Sequence, residues 1–180
     1  MTNYALNNYR EVVKSATPAQ IESATQWYAD AELLAHDVVE IFRKRGVKCN
    51  LENAASVISS FSPRQRWSRN VVQALEFANG GEPKGLTNNL RMAQFSMVDG
   101  FNALKGMKTN AFAKAIAGDV NAITIDVWMI KAAGYGNKNS VNKTEYRELS
   151  DAVNVVAFEL GLTPRTTQAL IWIIFRGSAD

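Results

Sequence analysis

Residues 17–46 read TPAQIESATQWYADAELLAHDVVEIFRKRG, and this stretch decides the fold class. Thr17-Pro18 is an N-cap followed by a first-turn proline, whose fixed φ and missing N–H suit a helix start. Ile21, Ala24, Tyr28, Ala31, Leu34, Ala35, Val38, Val39 and Phe42 then recur at a spacing of about 3.6. They form one apolar stripe on a helix predicted over 19–45, with Gly46 as its C′ stop.

The same punctuation recurs outward along the chain. Ser62-Pro63 opens a predicted helix to Asn79, with Trp67, Val71, Ala74, Leu75 and Ala78 inward, and Thr163-Pro164 opens a last one to Arg176. Asn50 is expected to cap a short helix through Ile58. Further helices are expected over 87–98, 108–117 (ended by Gly118), 125–133 and 144–160 (ended by Gly161), with a short helical turn over 99–104. Ala122-Ile123-Thr124-Ile125 is the best strand candidate and has no evident partner. The chain therefore reads as all-α, with roughly nine or ten helices in two packed lobes. It forms a single domain over 1–180. The glycine- and proline-bearing segment 79–85 is the clearest break. It is the expected linker (80–85) between sub-lobes 1–79 plus the C-terminal helices, and 86–160.

Composition narrows the chemistry. The 180 residues include one cysteine, Cys49, and one histidine, His36. That excludes an intrachain disulfide, a four-cysteine zinc site and a cysteine-ligated iron–sulfur cluster, and it argues against multi-histidine metal sites. Catalysis would rest on carboxylates, lysine, hydroxyls or a cofactor. The apolar fraction of 47% and the charged fraction of 21% are globular values. The apolar runs are too short to span a bilayer and no signal peptide opens the chain, so a cytoplasmic location is expected, with no membrane partner. A net charge of +3 permits nucleic-acid binding without arguing for it.

Five segments bear groups suited to chemistry. Leu104-Lys105-Gly106-Met107-Lys108-Thr109 places a turn glycine before a helix start, where free backbone N–H groups and a lysine can hold a phosphate. Asp126 follows Ile123-Thr124-Ile125 at another helix start, where an aspartate serves equally as a simple cap. Arg64-Gln65-Arg66-Trp67-Ser68-Arg69-Asn70 sets arginines beside a tryptophan, either a phosphate-holding face or a solvated basic surface over a core indole. Arg43-Lys44-Arg45, Lys138 and Lys143 are read as a helix-end dipole match and a loop. Arg176, in an apolar stretch, needs a carboxylate such as Asp126 or Glu159 if buried. Trp172, Trp27 and Tyr28 read as core.

The segment 104–128 resembles the helix-hairpin-helix DNA glycosylases, the superfamily of endonuclease III. Their signature runs L-P-G-[VI]-G-x-[KQ]-T-A, then an apolar helix ending in Gly, then V-D-T-H. Leu104, Gly106, Lys108, Thr109, Gly118, Ile125 and Asp126 fall into that order, with no gap from Lys108 to Asp126. More weakly, 57–62 resembles the helix end before the family's L-S-x-Q segment, and 173–177 resembles a late apolar stretch of the fold. Here the hairpin is two residues shorter than the family's. Lys105 replaces the proline, the second glycine is missing, and Trp128 stands where histidine is usual. The S-P-R-x-x-W-x-x-N segment (Ser62, Pro63, Arg64, Trp67, Asn70) is also similar to one in small phage-encoded proteins.

The resemblance implies a DNA N-glycosylase that flips a damaged or modified base into a pocket between two lobes. Asp126 would stabilise the sugar cation, and Lys108 would be the amine nucleophile of a lyase. Gly106, Met107, Thr109, Arg64, Arg66, Arg69 and Asn70 would bind double-stranded DNA, and Trp67, Trp128 and Arg176 would line the pocket. It implies a monovalent cation at the hairpin, no iron–sulfur cluster and no other cofactor. The alternatives are a non-catalytic DNA or protein binder on a degenerate glycosylase fold, and a phage-encoded protein that engages a host partner.

Overall fold

A computed structural model describes residues 3–177. Among them the chain forms nine α-helices and one 3-10 turn, and no strand. The helices are α1 (Asn3–Val13), α2 (Pro18–Lys44), α3 (Leu51–Ser60), α4 (Trp67–Ala78), α5 (Thr87–Asp99), α6 (Met107–Ile116), α7 (Val127–Ala132), α8 (Lys143–Leu160) and α9 (Pro164–Arg176), with the 3-10 turn over Gly100–Ala103. No helix among the described residues is long and apolar enough to cross a membrane. Among the described residues the chain divides into two compact units, one built from residues 3–28 and 120–177, the other from 29–119. The 80–85 segment, read as a linker, lies inside the second unit between α4 and α5.

In the first unit α1 packs against α7, α8 and α9, and α9 packs against α7 and α8. Tyr9, Met129, Leu149, Val153, Leu170 and Ile171 form its fully buried centre. The caps follow local chemistry. Thr163 Oγ1 accepts from Thr166 N–H ahead of Pro164, and Asn142 forms a capping box with Glu145 at the start of α8. Gly161, at φ 66°, ends α8 in the left-handed conformation that glycine adopts without a Cβ penalty. The α1 helix carries no cap-plus-proline start and three asparagines of poor helix propensity, so sequence punctuation does not announce it.

The strand candidate 122–125 is extended and buried but pairs with no strand. Two of its backbone groups are met by one side chain instead: Tyr146 Oη donates to Ile123 O at 2.8 Å and accepts from Ile125 N–H at 3.2 Å. A phenol from α8 thus replaces a neighbouring strand.

In the second unit α3 lies against α4, α5 and α6, and every residue from Ala54 to Ser60 is buried. Small side chains permit that packing, and two of its three serine hydroxyls find acceptors, while the buried Ser56 Oγ has none among the described residues. Ser59 Oγ donates to Thr109 O at 2.7 Å, and Ser60 Oγ donates to Ser56 O at 2.8 Å. Asn50 caps α3 as expected, in a reciprocal box with Asn53.

Ser62 does not cap the next helix. Residues 62–66 form a turn in which Arg64 takes φ 60°, and α4 begins at Trp67 after an Arg66 N-cap that makes no side-chain cap bond. The left-handed residue reverses the chain before a helix can start, so the cap-plus-proline signal is overridden. Lys84 O then accepts from Arg69 Nη2 at 3.0 Å and from Gln73 Nε2 at 2.7 Å, which ties the 80–85 segment to α4.

Candidate functional site

Asp126 sits where the extended, buried segment 122–125 runs into α7. Its Oδ1 accepts from Trp128 N–H at 2.9 Å and Met129 N–H at 3.0 Å, two of the orphan donors of a helix start. Its Oδ2 accepts from Trp172 Nε1 at 3.1 Å, across to α9. Both oxygens are thereby held in one orientation. The far end of this six-residue helix is also tied down. Met129 O accepts from Tyr9 Oη at 3.0 Å, and Ala133 O accepts from Asn8 Nδ2 at 2.9 Å, both from α1.

Aromatic rings and cations surround the carboxylate. Arg176 lies over the Trp172 ring, 4.7 Å from its centre, and over Trp128 at 5.8 Å. Lys131 lies 4.9 Å from the Trp128 ring centre. Trp172 meets Trp27 at 6.2 Å, Trp27 meets Tyr28 edge-on at 4.8 Å, and Arg165 lies 5.3 Å over Tyr28. Burial, with the Asp126 charge as a smaller contribution, drives the Tyr9 and Tyr28 phenols well above their ordinary range. The same two causes carry Tyr146 up to about 12 against the pull of its Ile125 hydrogen bond. All three phenols keep their protons at neutral pH and serve as fixed donors.

The expected carboxylate partner of Arg176 is otherwise engaged. Glu159 pairs with Arg10 at 2.5 Å, and Asp126 faces the indole and the helix start. Among the described residues Arg176 has cation–π contacts with two indoles. Trp172 and Trp27, read as core, are half-buried. Lys131 was not singled out in sequence, although its i,i+3 spacing from Trp128 is a readable cation–π signal, as is the i,i+4 spacing of Trp172 and Arg176.

The other candidates lie in the second unit. Gly106 is the N-cap of α6 and brings no side-chain cap. Its carbonyl accepts from Asn110 N–H at 2.9 Å and Thr109 Oγ1 at 3.1 Å, and Leu104 O accepts from Asn110 Nδ2 at 3.3 Å. These hairpin carbonyls are turned to protein donors, a poor fit to a bound cation. Met107 is exposed, and Lys108 is half-buried on the first turn of α6. Phe112, one turn on from Lys108 and on the same helix face, meets the half-buried Trp67 at 6.1 Å. Arg64, Arg66 and Arg69, which flank Trp67 in sequence, are exposed, whereas Asn70, expected among the DNA contacts, is 1% exposed and belongs to the interior.

Cys49 has no catalytic setting, since burial pushes its thiol up to about 11. Among the described residues no group of three or more His, Cys, Asp or Glu is placed to hold a metal ion.

The profile of a family of unknown function, DUF7178, matches residues 2–179. The chain belongs to the DUF7178 family. No curated protein and no solved structure matches it. In this DUF7178 chain two clusters therefore stand out. One is the Asp126 carboxylate among indoles and cations in the first unit; the other is Lys108 with Trp67, Phe112 and exposed arginines in the second.

Proposed function

We propose that the protein is a DNA N-glycosylase on a helix-hairpin-helix glycosylase-like fold, excising a damaged or modified base. The observation that carries the reading is the fixed carboxylate of Asp126, held by three N–H donors and flanked by the half-buried Trp128 and Trp172. Breaking a glycosidic bond leaves positive charge on the sugar. A carboxylate already oriented needs no reorganisation to stabilise that charge, and it can orient a water for attack at C1′. Lys108 is the candidate for a lyase step. Its amine would attack C1′ as the base leaves with the bonding electrons, and the resulting Schiff base would permit strand elimination. A free lysine titrates near about 10.4, so such an amine must be desolvated; Lys108 is half-buried. The start of α6 and the exposed Arg64, Arg66 and Arg69 would hold phosphates.

The test is mass spectrometry of free bases released from DNAs carrying uracil, oxidised, alkylated and hypermodified bases, with wild type beside Asp126→Asn. Release by wild type alone is expected, with both proteins folded by circular dichroism. Equal release by the variant removes Asp126 from the mechanism. Lys108→Ala is expected to abolish any borohydride-trapped adduct, and an adduct that survives assigns the amine elsewhere.

A second reading is a non-catalytic DNA binder on the same fold. The observation that favours it is that every hydrogen bond of Asp126 also suits a purely structural helix cap. Duplex binding without base release from any DNA selects it.

A further inference from the structure

Two half-buried cations share one indole in the first unit. Arg176, on the last turn of α9, lies over Trp128 and Trp172, and Lys131 on α7 lies over the same Trp128. A ring face attracts the positive charge but accepts none of the in-plane protons. A guanidinium carries five N–H donors and an ammonium three. Among the described residues neither cation forms an ion pair or donates to a protein acceptor. The hydrogen bonds of the nearby carboxylate go instead to Trp128 N–H, Met129 N–H and Trp172 Nε1.

A planar fork held against rings, with its donors uncommitted, suits the paired oxygens of a phosphodiester. The ammonium beside it adds a point charge. Both indoles are half-buried and carry the cations on their rings. We infer that Lys131 and Arg176, seated on Trp128, hold a backbone phosphate of a DNA strand. This rests on the DNA-binding part of the proposed function and not on its chemistry.

The test is the salt dependence of binding to a fluorescein-labelled random-sequence duplex, followed by anisotropy. Each lost phosphate contact lowers the slope of log Kobs against log[salt] by about 0.9. The Lys131→Met/Arg176→Met variant keeps the apolar stems over the rings, and a slope shallower by about 0.9, the value for one phosphate, is expected. Arg176→Lys keeps the charge and loses the fork, so it should bind more weakly with the wild-type slope. Circular dichroism and thermal melting confirm the fold of each variant.

An unchanged slope in the folded double variant overturns the site, as does a wild type that binds no duplex. Tryptophan quenching by inorganic phosphate, with an unchanged duplex slope, assigns the cations to a free anion and also overturns it. Base release, followed in parallel, separates the two proposals. A shallower slope without any release by wild type keeps the phosphate site and removes the glycosylase; release with an unchanged slope does the reverse.

Discussion

Asp126 is a single side chain with two duties, and substitution separates them. Asparagine still caps a helix well, but its amide cannot accept from both the α7 N–H groups and Trp172 Nε1, so Asp126→Asn should cost about 1 kcal/mol. Asp126→Ala loses the cap and leaves the indole N–H unpaired, a cost of about 2–3 kcal/mol. Urea denaturation should rank wild type above Asn above Ala; an Ala variant as stable as wild type would show that the cap is idle. Arg64 is a second revealing residue, because it holds φ 60° without being glycine. Left-handed backbone costs an ordinary residue about 1–2 kcal/mol, and the looser unfolded chain of glycine returns up to about 1. Arg64→Gly should therefore gain somewhat less than about 1 kcal/mol, while Arg64→Ala gains nothing. Equal urea midpoints for the Gly and Ala variants would contradict this. Strain at an exposed arginine on the proposed DNA face fits a residue kept for binding.

At the scale of elements, the extended segment 122–125 depends on α8. Tyr146 supplies the donor and the acceptor that a neighbouring strand would have supplied. Tyr146→Phe leaves Ile123 C=O and Ile125 N–H unpaired, at about 1–3 kcal/mol each. The same phenol gives the fold an alkaline limit. Its pKa rises from 10.0 in the free side chain to about 12 in the folded protein. The folded state therefore holds the proton more tightly. This contribution is complete below pH 10.0 and is lost as pH rises through about 12. Wild-type urea midpoints should fall across that window, and Tyr146→Phe should fall less steeply from a lower start. Parallel curves for the two proteins would refute the assignment. The sequence carried a real signal at this segment, four residues of strand character, but not the identity of the partner, because a phenol 21 or more residues away leaves no local mark.

At the scale of the molecule, the first unit draws on residues from both parts of the chain that flank the second. The α1 helix brings Tyr9 and Asn8 to the carbonyls of α7 and Arg10 to Glu159 on α8. Deleting residues 1–16 should raise hydrogen exchange throughout α7, α8 and α9 and red-shift the emission of Trp128 and Trp172. Unchanged protection in α7 would show that α1 is dispensable to the site. Such a unit is slow to read from sequence because its defining contacts are long-range. Tyr9 meets Met129 at a separation of 120 residues.

The sequence by itself determined the all-α class and most helix boundaries, since caps, first-turn prolines, left-handed glycines and apolar stripes act within a few residues of where they stand. Tertiary structure decided what those signals could not reach. It turned Ser62-Pro63 into a turn, buried Asn70 and tied the 80–85 segment to α4. It also brought Arg176 of α9 onto the indole of α7 that Lys131 already covered. Helix propensity is a short-range property, whereas the meeting of a cation with a ring 48 residues away is set by how the helices pack.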